Sequence, residues 1–135
     1  MAIQYSLTHR TNAMSQLNTD IGINAVLKIF TGTLPTNCGT ADTGTNIATF
    51  AGNATAFGAA AAAVLTANAV ASTTGIGGGG VAGYFRIYPS AATTTNAVVQ
   101  GTCGLSAADM ILTNTNIAAG QTVNFSSLTV TGFGV

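Results

Sequence analysis

The stretch "TTGIGGGGVAGYFRIYP", Thr73 to Pro89, decides how the whole chain is read. A glycine run of this density serves either as a bare loop that cradles a phosphate or as a turn feeding a sheet. A phosphate loop leads from a strand into a helix and usually brings a lysine or hydroxyl to the phosphates. Here the glycines lead instead into "VAGYFRIY", which is rich in aromatic and β-branched residues and is closed by Pro89. No GK[ST] follows, and no acidic residue stands about 20 positions on, where a dinucleotide site would hold the ribose. The glycines therefore read as a mobile hairpin connection, and Val81 to Tyr88 as the clearest strand of the chain. Val81, Phe85 and Ile87 share one face of it; Tyr84, Arg86 and Tyr88 share the other.

Outward from this strand the period-2 pattern recurs. Ala25–Phe30 alternates, with Lys28 between Val26 and Phe30 on one face. Asn46–Phe50, Asn96–Thr102 and Asp109–Thr113 read as short strands. The alanine-rich Val64–Ala71 reads as a strand in preference to a helix, since no cap or ion pair supports a helix there. In Thr122–Thr131 the apolar phase slips from odd positions (Val123, Phe125) to even ones (Leu128, Val130), the mark of a β-bulge at Ser126–Ser127. "TGTLPTNCGTADTGT" is turn chemistry throughout, and "NTNIAAGQ" reads as a connection. Only the N-terminus departs from this pattern. Leu7, Met14, Leu17 and Ile21 recur at helical spacing, with Ser6 or Thr8 as cap and Gly22 as stop. The expectation is a mainly β, single-domain β-sandwich or barrel of about seven short strands with one N-terminal α-helix. Residues 1–135 form one domain, with 1–22 packed on it or extending from it.

Composition narrows function by exclusion. The 135 residues carry three bases (Arg10, Lys28, Arg86), three acids (Asp20, Asp42, Asp109) and one histidine, His9. That is 4% charged residues, where globular domains carry roughly 25%. Alanine, threonine and glycine fill almost half the chain. With no basic footprint, nucleic acid is not an expected partner. No stretch is long and apolar enough for a membrane span, and the opening "MAIQYSLTHR" shows no secretory signal. A surface so poor in charge favours association with neighbours.

Catalytic constellations fail on residue supply. A triad needs a histidine base, and His9 lies on the exposed flank of the helix beside Arg10. The three aspartates stand in cap or turn contexts, where the side chain bonds its own backbone, so a glycosidase pair is not expected. Neither a metal nor a cofactor is implied. Cys38 and Cys103 form no C-x-x-C pair and are expected as reduced thiols. Lys28, alone on an apolar strand, is expected to snorkel to solvent.

The groups that remain are candidate interfaces. Tyr84, Arg86 and Tyr88 form an aromatic–guanidinium–aromatic ladder suited to a partner's ring or peptide. The other reading is that Arg86 satisfies an internal carboxylate or carbonyls, with the tyrosines covering the sheet. Leu7, Met14 and Leu17 offer the helix as a second candidate surface.

"AVLKIFTGTLPTNCGTADTGT", "VLTANAV", "GYFRIY" and "ADMILTNTNIAAGQTV" also resemble segments of small virion-associated structural proteins of tailed bacteriophages. The resemblance covers most of the chain but carries no diagnostic site, and "GIGGGG" and "GLSAAD" depart from it. It implies a non-enzymatic part of a virion assembled in the host cytoplasm, first of all a capsid decoration (cement) protein. Its partners would be the major capsid protein or other virion proteins, and it would be a homo-oligomer, taken as a trimer. A tail or tail-tip component is the alternative, and a pilin-like adhesive fibre subunit a third.

Overall fold

The computed structural model describes residues 3–53, 56–68, 72–89 and 96–132. Helix α1 (Leu7–Ile21) is bounded by the residues the sequence offers for it. The Ser6 side chain accepts the His9 N–H, and Gly22, at φ +71°, donates its own N–H to the Asn18 carbonyl. Met14 and Ile21 are buried, whereas Leu7 stays exposed near the free end of the helix.

The strands are β1 (Ala25–Thr31), β2 (Asn46–Asn53), β3 (Val64–Thr66), β4 (Thr73–Thr74), β5 (Gly80–Tyr88), β6 (Val99–Gly104), β7 (Met110–Leu112), β8 (Asn116–Ile117), β9 (Thr122–Val123) and β10 (Phe125–Thr131). One sheet runs in the order β2-β1-β5-β6-β7-β10-β3, with β8 attached to β5; β4 and β9 form a separate pair. Each of the seven strands expected from periodicity has a counterpart on the main path, but the last, expected over Thr122–Thr131, is split, and Thr122–Val123 form β9 of the separate pair. The fold is mainly β, in the form of one sheet that curls on itself. Strands β2 and β10, far apart along the path, meet through the Phe50 and Phe125 rings, packed edge to face at 5.5 Å. The β4–β9 pair helps to close this side, since Gly75 bridges Ala48 of β2 and β9 leads straight into β10.

Strand β5 is the hub, pairing with β1, β6 and β8. Its inner residues Phe85 and Ile87 stand opposite Ile29 and Leu27 of β1, and all four lie in a single core cluster. That cluster also takes in Met14 and Ile21 of α1 and residues of β2, β3, β7, β8, β9 and β10. The helix lies along the chain that leads into β3. Thr11 Oγ1 accepts the Ala63 N–H at 3.1 Å, and Asn18 donates to the Gly58 carbonyl at 3.2 Å.

Several expectations need correction. Strand β3 spans Val64–Thr66; Ala67 and Asn68 lie beyond it, and residues 69–71 fall outside the described residues. "NTNIAAGQ" holds β8, which borders the start of β5. The glycine run is a turn but not a hairpin. Its flanking strands do not pair with each other: β4 goes to β9 and β5 to β1. The phase slip in the last strand is the expected bulge, since Phe125 faces Leu112 while Ser127 faces Ile111.

Strands β6 and β7 run parallel although residues 105–109 alone connect them. Parallel neighbours normally need a crossover of about a dozen residues. Asp109 makes the short route possible. Its carboxylate accepts both the Thr102 N–H (2.8 Å) and the Thr102 hydroxyl (2.9 Å), clasping the two strand ends together.

Candidate functional site

Pairing of β1, β5 and β6 brings three rows of side chains onto the outer sheet face. Phe30, Tyr84 and Thr102 stand in one row, and Lys28, Arg86 and Gln100 in the next; Val26 faces Tyr88 in the third. The ladder forms as the strand alternation requires. It does not face solvent. Residues 32–45 cross over it, and Arg86 and Tyr84 are fully buried, with Tyr88 nearly so.

Arg86 uses its guanidinium to hold this loop down. Nη1 donates to the Thr40 carbonyl at 2.8 Å and to Asp42 Oδ1 at 2.7 Å. Nη2 donates to the Asn37 carbonyl at 3.0 Å and to Gln100 Oε1 at 2.8 Å, and Nε donates to the same oxygen at 3.1 Å. All five N–H donors of the group are thus engaged, the condition under which a charge can be buried without severe cost. Gln100 completes the clamp by donating to the Pro35 carbonyl at 2.8 Å.

The tyrosines extend it. The Tyr88 hydroxyl donates to Asp42 Oδ1 at 2.7 Å. The Tyr84 hydroxyl donates to the Thr43 carbonyl at 2.8 Å and accepts the Thr43 N–H at 2.9 Å. Phe30 stacks on Tyr84 with centroids 5.0 Å apart, and Lys28 Nζ sits 5.0 Å above the Tyr88 ring. Lys28, half-buried, finds a π face on its way to solvent.

These facts settle the choice over the ladder. As a docking face, Tyr84, Arg86 and Tyr88 are unavailable, because the chain's own loop occupies them. Internal satisfaction of a carboxylate and carbonyls is what Arg86 does. Asp42 does not bond its own backbone as a turn residue would; it is the sheet's counter-ion, 38% exposed, 2.7 Å from Arg86. Of the helix candidates, Met14 is buried, Leu17 packs half-buried against the core, and Leu7 alone is exposed.

The electrostatics follow the geometry. Burial opposes the Arg86 charge, but hydrogen bonding to Tyr88 and Asp42 and their charges outweigh it and raise its pKa. Burial, and then the hydrogen bond to Asp42, push the Tyr88 phenol up to about 12. Burial and the Asp109 charge push the Cys103 thiol up to about 12 as well. Both values lie above those of the unfolded chain, so the folded chain keeps protons that the unfolded chain gives up. Their contribution is intact below pH 9–10 and is lost as the pH rises towards 12. Urea titrations should therefore show stability falling across that window, with Tyr88 accounting for about 2 kcal/mol of the fall. In Tyr88→Phe its share of the slope should vanish. An unchanged slope in this variant would rule out the assignment.

The remaining titratable groups do not converge. Asp20 accepts from Gln16, Asp109 from Thr102, and His9 stacks on Tyr5. Both thiols are free: Cys38 contacts the Val98 carbonyl and Cys103 the Met110 sulfur. Among the described residues, no three of His, Cys, Asp or Glu gather where a metal could bind. No helix of the described residues is long and apolar enough to cross a membrane. No family model matches the chain, and no curated protein or solved structure gives a significant match.

Proposed function

We propose that this chain is a structural subunit of a virus particle, a capsid decoration protein that seats on the major capsid lattice of a tailed phage. The observation that carries this reading is where the charge goes. The ion pair of Arg86 with Asp42 fixes the chain's own loop, while several large apolar side chains stay exposed, among them Ile3, Ile23, Val81 and Leu105. Such a surface gains from a neighbour by burying apolar area, not by pairing charges. A loop of turn residues tied to the sheet by buried hydrogen bonds suits a part that must keep its shape in a lattice.

Two measurements on purified particles test it. Attachment through apolar contacts should change little as salt is raised from about 0.05 to 0.5 M, because only charge interactions are screened over that range. Release by salt alone would overturn this account of the contact. Gel densitometry should give a copy number comparable to that of the major capsid protein. A handful of copies per particle would instead place the chain in the tail.

A further inference from the structure

Two apolar features of the described residues complement each other without touching. The first is the exposed side chains of Ile3 and Leu7, at the end of the chain that leads into the helix. Ile3 is 80% exposed and Leu7 52%. Leu7 continues the stripe of Met14, Leu17 and Ile21 past the point where the β-domain covers it. The second is a cavity of about 30 Å³ at the seam between β2 and β10. Its lining, which includes Phe50, Ala51, Phe57, Ala67, Phe125 and Leu128, is apolar throughout. The cavity opens to the surface beside Ala51 and the half-buried Phe125, and the atoms around it forgo contacts that a filled core would give. Ligand pockets run to roughly 300–1,000 Å³, so this one is sized for the end of an aliphatic side chain, not for a cofactor.

We propose that the Ile3–Leu7 arm of one copy docks in the β2–β10 seam cavity of a second copy, joining the chains head to tail. The occupant follows from the direction of the helix. Asn18 bonds Gly58, the residue next to Phe57 of the cavity lining, so this end of α1 lies beside the cavity. Thr11 is fixed further along, at Ala63. At 1.5 Å per residue, Leu7 stands about 16 Å up the helix from Asn18. The four residues from Leu7 back to Ile3 span at most about 14 Å when extended, so Ile3 falls short of its own cavity even if the arm folded straight back. Ser6 holds the arm at the far end by capping the helix there. The knob and the hole thus sit at opposite ends of one rigid element, and they meet only between copies.

Charge does not oppose the contact: Ile3–Leu7 contains no ionisable group apart from the Tyr5 phenol, and the cavity lining contains none. Different surfaces meet, so the contact is heterologous, and it closes into a ring when the rotation per copy divides a full turn. One arm buries less than the roughly 800 Å² per partner of a stable pair, so ring closure has to supply the rest of the strength.

The inference deepens the reading as a structural subunit, and its test uses the isolated chain, so failed arm docking and failed attachment to particles are read separately. Light scattering on full-length protein over a range of concentrations should give an integer multiple, three for a trimeric ring, of the 13.3 kDa chain mass. Ile3→Asp should weaken this association at least roughly tenfold, because a carboxylate would enter an apolar cavity. Its thermal midpoint as a monomer should not change, since Ile3 lies outside the core.

Mixing a chain that carries Ile3→Cys with one that carries Ala51→Cys, both in a Cys38→Ser, Cys103→Ala background, should give disulfide-linked heterodimers. A control mixture of Ile3→Cys with Val81→Cys should not. The proposal is overturned if the wild-type chain is monomeric throughout, if Ile3→Asp associates as wild type does, or if both mixtures cross-link equally.

Discussion

Arg86→Met is expected to lower stability by about 3–5 kcal/mol, the cost of removing one member of a buried ionic network. The volume is conserved, so the loss is not one of packing. It comes from what stays behind: the Thr40 and Asn37 carbonyls and the Gln100 amide oxygen lose their donor together, and the Asp42 carboxylate keeps only the Tyr88 hydroxyl. Asp42 is partly exposed and can recover water, which puts the effect toward the lower end of that range. Arg86→Lys should rescue little, because an ammonium has three donors and cannot span acceptors arranged around a planar fork. Denaturation in urea measures the loss. Limited proteolysis locates it, since cleavage within residues 32–45 should accelerate far more than cleavage elsewhere. A variant as stable as wild type, with an intact loop, would show that the clamp is dispensable.

Gly75→Ala and Gly79→Ala should each be severely destabilising, while Gly78→Ala should be neutral or stabilising by about 0.4–1 kcal/mol. The contrast lies within one run of similar residues. A methyl on Gly75 would stand 2.2 Å from the Ala118 carbonyl oxygen, and one on Gly79 2.4 Å from that of Ile117. Gly79 also holds φ +74°, which strains any residue with a side chain. At Gly78 a methyl would meet nothing, and its backbone is ordinary. Gly75 donates to the Gln121 carbonyl at 2.7 Å and accepts from Gly120 at 2.9 Å. Close approach of two backbones is therefore what this run secures. Thermal unfolding of the three variants side by side measures the difference; equal midpoints would refute that role.

Local signals were legible and coverage was not. The Ser6 and Gly22 caps, the stop at Pro89 and the bulge at Ser126 all declare themselves within a few residues, because each reflects backbone geometry or side-chain alternation. Alternation assigns Tyr84, Arg86 and Tyr88 to one face, but it cannot say whether water or chain lies above that face. The covering loop reads as turn chemistry, and Asp42 within it looks like any turn aspartate. One clue was present. "YFRIY" carries large residues at every position, and Val26 and Phe30 flank Lys28 on the outer face of β1. Both are what a sheet covered on two sides requires. The two-residue strands β4, β8 and β9 left no periodic trace, since two residues are too few to show a period. Nothing in the spacing of Phe50 and Phe125 announces that the sheet's seam closes between them.

The pairing of β1 with β5 also fixes an order of events during synthesis. Strand β1 emerges early, finds β2 once the loop of residues 32–45 is made, and then waits until residue 88 before its other edge can be filled. Gln100, which holds both Arg86 and the Pro35 carbonyl, comes later still. At roughly 5–20 residues per second the ribosome keeps the half-built sheet open for several seconds. During that interval Lys28, directly opposite Arg86, is the only lysine or arginine on the waiting strand. A charge on the exposed edge of an apolar strand discourages it from pairing with another nascent chain. Lys28 thus protects the strand before it folds and rests on the Tyr88 ring afterwards.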